Sequence, residues 1–221
     1  MTEPKRQNRA QQADEQEPAR RVIISLVQSI NGSFAEDGWS TGVSTDADFR
    51  RFLALRRSAN AIIIDRRTAL NPQLPVINAA GKTLAHTPVY VLTESDPDAL
   101  QVELDARGLD YRAKIFSADT ITEVAAALPT APSPESRQSE TDTAQSLPRQ
   151  STEAVLLCES GPNLAFRILE HCPGAELHLS VSPRYIRTPG SHFSGLEAKI
   201  DLRLIDVHTE DGQVFLRYRR A

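Results

Sequence analysis

Val155-Leu156-Leu157-Cys158-Glu159-Ser160-Gly161-Pro162-Asn163-Leu164 is the stretch on which the fold turns. It begins as an uninterrupted apolar run, which reads as a strand buried on both faces. It then turns through Ser160-Gly161-Pro162 and enters Asn163 to Glu170, where Leu164, Ile168 and Leu169 recur at helical spacing. Pro162 suits a first helical turn, because the N–H it lacks would have no intrahelical acceptor there. Gly161 has no Cβ and leaves room for a ligand to come close. A strand, a small-residue turn and a helix start together aim unpaired backbone N–H groups at one point, a corner suited to phosphate or pyrophosphate. Many α/β proteins carry such a turn with nothing bound. The stretch alone therefore points to a fold before it points to a ligand.

The whole chain sets the limits. Its 221 residues fit one domain of ordinary size, or one domain with tails. A formal net charge of −4 offers no general attraction to nucleic acid. No apolar run reaches the length of a membrane span, and the first residues lack the apolar core of a signal peptide. Cys158 lies in an apolar strand and Cys172 at a helix end, so reduced thiols and a cytoplasmic location are expected. No Cys/His spacing resembles a zinc site, and no metal is expected.

Outward from the opening stretch, the chain reads as alternating strands and helices. Residues 1–20 are polar and charged, too poor in apolar surface to offset the cost of ordering, and are expected to be a disordered tail. A single domain over 21–221 follows. Arg21 to Gln28 is an apolar, β-branched strand ending at the Asn31-Gly32 turn. Phe34 to Val43 is loop-like, with Trp39 as a packing residue. Thr45-Asp46-Ala47-Asp48 opens an amphipathic helix to about Arg57 in the manner of a capping box. Asn60 to Ile64 is a second buried strand, followed by a turn at Asp65-Arg66-Arg67-Thr68. An irregular connection over 69–87 leads to a third strand at Pro88 to Thr93. Ser95-Asp96-Pro97 starts a helix that Gly108 closes. Tyr111 to Phe116 reads as a strand and Ser117 to Leu128 as a helix.

From about 129 to 152 Pro, Ser, Thr, Gln and Glu dominate, which predicts a disordered insertion. A boundary between two domains is the other reading. Against it, the remaining piece is short and opens with a fully buried strand that needs a sheet to join. After the opening stretch, Leu177, Leu179 and Val181 alternate with Glu176, His178, Ser180 and Ser182. Residues 184–197 form a loop, and Lys199 to Val207 alternates again. Asp211-Gly212 then turns the chain into Gln213 to Arg219 as a hairpin. The fold class expected is α/β: a mostly parallel sheet flanked by helices, with an antiparallel hairpin at the C-terminal end.

This succession resembles the dihydrofolate reductase-like superfamily, and more narrowly the reductase domain of riboflavin biosynthesis, the C-terminal half of the bifunctional deaminase-reductases. Ile23 to Gly32 looks like that family's first strand and its Ser-x-Asp-Gly turn. Val43 to Arg56 with Ala61 to Ile64 looks like its first helix and second strand. Glu159-Ser160-Gly161-Pro162-Asn163-Leu164 resembles its Glu-Gly-Gly-Pro-x-Leu signature, and Glu176 to Pro183 the strand that follows. Order and spacing make the likeness, which covers all but the tail and the insertion.

The resemblance implies an NADPH-dependent pyrimidine reductase, of the (phosphoribosylamino)uracil reductase type, that reduces the ribosyl group of a phosphoribosylamino-pyrimidine to ribityl. It places Thr68, Thr93, Ser160, Gly161, Pro162, Asn163 and Leu164 at cofactor-binding positions. Ser40, Arg56, Leu74 and Glu159 fall at substrate-binding positions. It also implies a homodimer, a small phosphorylated pyrimidine as partner, and no catalytic acid or base that can be named. Arg56 suits a phosphate because guanidinium binds it bidentately; the other reading is a helix-surface arginine. Glu159 ends a buried strand and must hydrogen-bond, to substrate or within an ion pair.

The sequence also departs from the family. Asp65-Arg66-Arg67-Thr68 stands where Gly-x-Gly-Thr is usual and brings a negative charge toward a cofactor phosphate. Arg66 and Arg67 offset it, select a 2′-phosphate, or form a solvated turn. The family's Arg-x-Asp before Asn71-Pro72 is missing, Gly42 replaces a common Trp, Ile77 a common substrate-contacting Arg, and Ser160 a glycine. The zinc-deaminase signature is missing too, so a riboflavin enzyme here performs the reduction alone. The alternative expectation is a divergent, non-catalytic or nucleotide-binding member of the fold with an interaction or regulatory role.

Overall fold

The computed structural model describes residues 20–128, 153–187 and 199–221. The tail expected over 1–20 lies outside the described residues except for Arg20, and so does the insertion expected at about 129–152. The elements are β1 (Arg20–Ser29), α1 (Asp46–Ser58), β2 (Ala61–Asp65), α2 (Arg66–Ala69), β3 (Val89–Thr93), α3 (Pro97–Ala106) and β4 (Arg112–Ile115). They continue as α4 (Ala118–Ala126), β5 (Ala154–Cys158), α5 (Pro162–His171), β6 (Glu176–Ser182), β7 (Leu202–Glu210) and β8 (Gln213–Arg220).

The strands form one eight-stranded sheet in the order β4-β3-β2-β5-β1-β6-β8-β7. All neighbours from β4 to β6 are parallel, and β8 and β7 add antiparallel at one end. This is the mixed, mainly parallel α/β sheet with a terminal hairpin that the sequence pattern predicts. Strand β5 lies between β1 and β2: Leu157 faces Ile23 on one side and Ile62 on the other. Having a neighbour on each side and helices over both faces leaves it no polar surface, which is why its sequence is apolar throughout.

The odd and even positions of the central strands feed separate cores. Ile24, Leu26, Ile63, Leu156 and Cys158 meet Ile121 and Val124 of α4 and Leu164, Ala165 and Ile168 of α5. On the opposite side Ile62, Ile64, Val89 and Val91 meet Leu100 and Leu104 of α3. Ile23, Val155 and Leu157 pack against Leu55 and Ala59 near the end of α1. Each buried aliphatic side chain contributes about 1.5–3 kcal/mol relative to exposure.

Local signals set most boundaries. The Thr45 hydroxyl accepts from the Asp48 N–H, Asp96 from the N–H groups of Asp98 and Ala99, and Ser117 from Thr120. Gly108 ends α3 with φ +68, a conformation that costs a glycine nothing. Asp211 and Gly212 both have positive φ, the two-residue turn whose twist suits a hairpin. One expectation changes. The stretch Asp65 to Thr68 is a capped helical turn: Asp65 closes β2 and its carboxylate accepts from the Thr68 N–H at 2.7 Å.

Strand β6 carries the second surprise. Its alternating polar residues are buried, with Glu176 at 1% and Ser182 at 0% exposure, and Arg21 of β1 with Arg217 and Arg219 of β8 close over Glu176. The Glu176 carboxylate accepts from Arg21 at 2.6 Å and from Arg219 at 2.5 Å, with Arg217 3.6 Å away and His178 at 3.2 Å. Burial alone raises its pKa, but the hydrogen bonds from Arg21, Arg219 and His178 outweigh this and hold it at about 2. Burial lowers His178 to about 4 against the pull of Glu176, so its imidazole is neutral at neutral pH.

Two measurements check this account. Leu157→Ala opens a cavity at the centre of the sheet and lowers unfolding stability by about 2–5 kcal/mol in urea titrations. Both folded-state pKa values at β6 lie below their unfolded values. Their contributions are thus complete above the unfolded pKa and vanish as pH falls through the folded one. Stability decreases from about 6.5 through about 4 as His178 charges, and from 4.5 to about 2 as Glu176 is neutralised. Glu176→Gln is less stable at neutral pH and has a flatter decline between pH 4.5 and about 2.

Candidate functional site

The parallel strands all end on the same side of the sheet, the side where open α/β folds hold ligands. There Thr93 closes β3, Asp65 closes β2, and Glu159-Ser160-Gly161 leads from β5 into α5. The Glu159 N–H donates to the Ile63 carbonyl at 2.9 Å, which extends the β5 ladder along β2 by one residue. That extension brings the Gly161 N–H within reach of β2. It donates to Asp65 Oδ2 at 3.1 Å, while Asp65 Oδ1 accepts from Thr68. One carboxylate thus bridges two helix starts.

Gly161 caps α5 with φ −63 and ψ 168, a conformation open to any residue. A Cβ there would lie 3.8 Å from Asp65 Oδ2, an ordinary contact. The backbone at this position therefore does not itself require glycine. Pro162 occupies the first turn, and the N–H groups of Asn163 and Leu164 follow it. The Leu164 side chain packs in the core, leaving only its backbone to face the crevice. Ser160 is also largely buried, its hydroxyl 3.2 Å from the Cys158 sulfur. Burial pushes the Cys158 thiol up to about 12, with only partial relief from Ser160, so it has no role as a nucleophile at neutral pH. Thr93 turns its hydroxyl to Ser95 at 3.0 Å.

Beside this corner lies a cavity of about 470 Å³. Arg56, Thr68 and Leu74 line it together with Ile77 and Tyr111, so three of the expected site residues meet in one place. Ile77 and Tyr111 brace its wall, the Ile77 N–H donating to the phenolic oxygen at 2.9 Å. Arg56 does not stand free in solvent. Its Nε and Nη2 donate to Glu159 at 2.6–2.9 Å, and its guanidinium sits 4.4 Å from the centre of the Phe52 ring. Glu159 is 4% exposed, and burial, partly opposed by Arg56, raises its carboxyl above the usual range. Two of the four expected substrate residues, Arg56 and Glu159, are each other's partners. Ser40 does not line this cavity; it sits in a 3₁₀ turn (Ser40–Gly42) where its carbonyl accepts from Val43 and Ser44.

Arg66 bonds Glu103 at 2.8 Å and Arg107 reaches the Leu70 carbonyl at 2.7 Å. Sequence reasoning missed the bridging role of Asp65 and the bracing role of Tyr111. The Asp-x-x-Thr spacing is a cap signal that identifies half of the Asp65 geometry. No local pattern marks Tyr111 or the reach from Asp65 to Gly161.

No protein-family model and no curated protein sequence matches this chain. Solved structures do match it, over most of its length. A pyrimidine reductase-like protein from Corynebacterium diphtheriae is 18% identical, with a TM-score of 0.59 over 91% of this chain and 92% of that one. The riboflavin biosynthesis reductase Rib7 of Saccharomyces cerevisiae is 14% identical, with a TM-score of 0.56 over 95% and 93%. The dihydrofolate reductase of Enterococcus faecalis, solved in complex with NADP(H), is 13% identical, with a TM-score of 0.53 over 90% and 96%. At these identities the likeness concerns architecture. The chain has the dihydrofolate reductase-like fold, and its structural neighbours are reductases that include those of riboflavin biosynthesis.

Proposed function

We propose that this chain is an NADPH-dependent reductase of the riboflavin-pathway kind, acting on the ribosyl group of a phosphoribosylamino-pyrimidine. The observation that carries the proposal is one of position. The ends of β2 and β3 and the start of α5 converge beside a cavity of about 470 Å³ that Arg56, Thr68 and Leu74 line. The donor chemistry of the corner supports a pyrophosphate there, because the Gly161 N–H already holds an anionic group, the Asp65 carboxylate. In this reading Gly161, Asn163 and Leu164 present backbone N–H groups, and the hydroxyls of Thr68 and Thr93 flank them. Arg56, Leu74 and Glu159 orient the substrate, Arg56 through the part of its guanidinium that Glu159 leaves unused. When bound, the dinucleotide supplies a hydride; positioning the acceptor carbon beside it is the protein's main contribution.

A second reading, a non-catalytic member of the fold, has its own support. Asp65 occupies a donor that a cofactor would use, and Arg56 is engaged by Glu159. Partner molecules follow the first reading: a phosphorylated pyrimidine, and a second copy of the chain in a homodimer.

Fluorescence titration of the purified protein together with genetic complementation separates the two readings. The reductase reading expects saturable NADPH binding, tighter than NADH, and growth of a riboflavin-requiring reductase mutant that expresses the chain. Absence of NADPH binding at millimolar concentration sinks it. Binding without growth points to another acceptor.

A further inference from the structure

The carboxylate of Asp65 performs two tasks with its two oxygens. Oδ1 caps α2 through the Thr68 N–H at 2.7 Å, and Oδ2 accepts from the Gly161 N–H at 3.1 Å. Helix α5 has no side-chain cap of its own, since its N-cap is a glycine. The neighbouring strand β2 therefore supplies the acceptor that the α5 entry lacks. Among the described residues neither adjacent arginine forms an ion pair with Asp65: Arg66 is bonded to Glu103, and Arg67 extends toward the loop at Gly38, its Nη2 3.9 Å from where a Cβ there would lie.

We propose that Asp65 is an internal competitor for the anion at this corner, and that it sets the affinity of the chain for a pyrophosphate-bearing ligand. A phosphate oxygen that takes the Gly161 N–H must displace Oδ2, and the displaced carboxylate remains nearby as a like charge. At about 4 Å even water-screened repulsion of unit charges weakens binding severalfold, and a partly dry crevice strengthens it to about tenfold or more. Asp65 is thus a specificity-determining residue. It favours ligands that bring little negative charge to the end of β5, and it makes a dinucleotide bind more weakly than the fold alone permits. Only the naming of that ligand as a nicotinamide dinucleotide rests on the reductase reading.

Asp65→Asn is the informative variant. Asparagine caps a helix about as well as aspartate, so the bond to Thr68 survives while the charge is lost and the Gly161 N–H is released. Asp65→Ser, which also caps, is the second variant. Inorganic pyrophosphate and NADPH are titrated calorimetrically into the full chain, wild type and variants, at low and high salt, with melting temperature measured in parallel. The expected result is pyrophosphate affinity raised about tenfold in both variants, with NADPH following and the melting temperature little changed. Equal or undetectable pyrophosphate binding by wild type and both variants overturns the proposal. If pyrophosphate affinity rises but NADPH binds to none of them, the role of Asp65 stands and the reductase reading falls. If NADPH binds wild type and variants equally tightly, the reductase reading stands and the role of Asp65 falls.

Discussion

The two-sided ladder of β5 is the interaction on which the rest of the molecule depends. Leu157 is paired to Ile23 of β1 and to Ile62 of β2, so the strand joins the two halves of the parallel sheet. Its burial feeds both cores at once, Leu156 and Cys158 to the α4 and α5 side and Val155 and Leu157 to the α1 side. The same ladder fixes the functional end. Because Glu159 continues the pairing with Ile63, Gly161 arrives opposite the last residue of β2, and the Asp65 contact follows from strand register.

Charge is handled in the same way at both ends of the sheet: each buried acid has a partner built in. Glu176, where β6 begins, is surrounded by Arg21, Arg217 and Arg219. At the opposite end Glu159 holds Arg56, and Asp65 holds two backbone N–H groups. A buried carboxylate without such partners would be strongly destabilising, which explains why Glu176 and Glu159 are found paired; Asp65 is only partly buried. The consequence differs between the ends. Around Glu176 the pairing stabilises a buried carboxylate. At the crevice it uses the groups that a phosphorylated ligand would otherwise meet, so stability and affinity draw on the same atoms.

The order of elements was legible because it rests on short-range chemistry. The apolar run at Val155 to Cys158, the caps at Thr45, Asp96 and Ser117, Gly108 and the Asp211-Gly212 turn each act within a few residues of themselves. The position of the crevice was legible to the same extent, since Gly161 and Pro162 open a helix directly after a strand. What escaped was contact between distant residues. Asp65 and Gly161 are separated by 96 positions, and Arg56 and Glu159 by 103. The sequence shows that Asp65 introduces a charge but not that the charge is seated on a helix start. The alternation in β6 identifies two faces, yet it does not show that Arg21, Arg217 and Arg219 come from neighbouring strands to the Glu176 carboxylate.

In the proposed function the end of β5 receives the pyrophosphate of a nicotinamide dinucleotide, with Asp65 yielding its place. A crystal structure of the protein grown with NADPH tests it most directly. The account predicts the pyrophosphate over the N–H groups of Gly161, Asn163 and Leu164, the Asp65 side chain rotated away from Gly161, and the nicotinamide directed toward the cavity at Arg56 and Leu74. A dinucleotide bound elsewhere, or a crevice with the Asp65 carboxylate still on Gly161 at saturating NADPH, would contradict it.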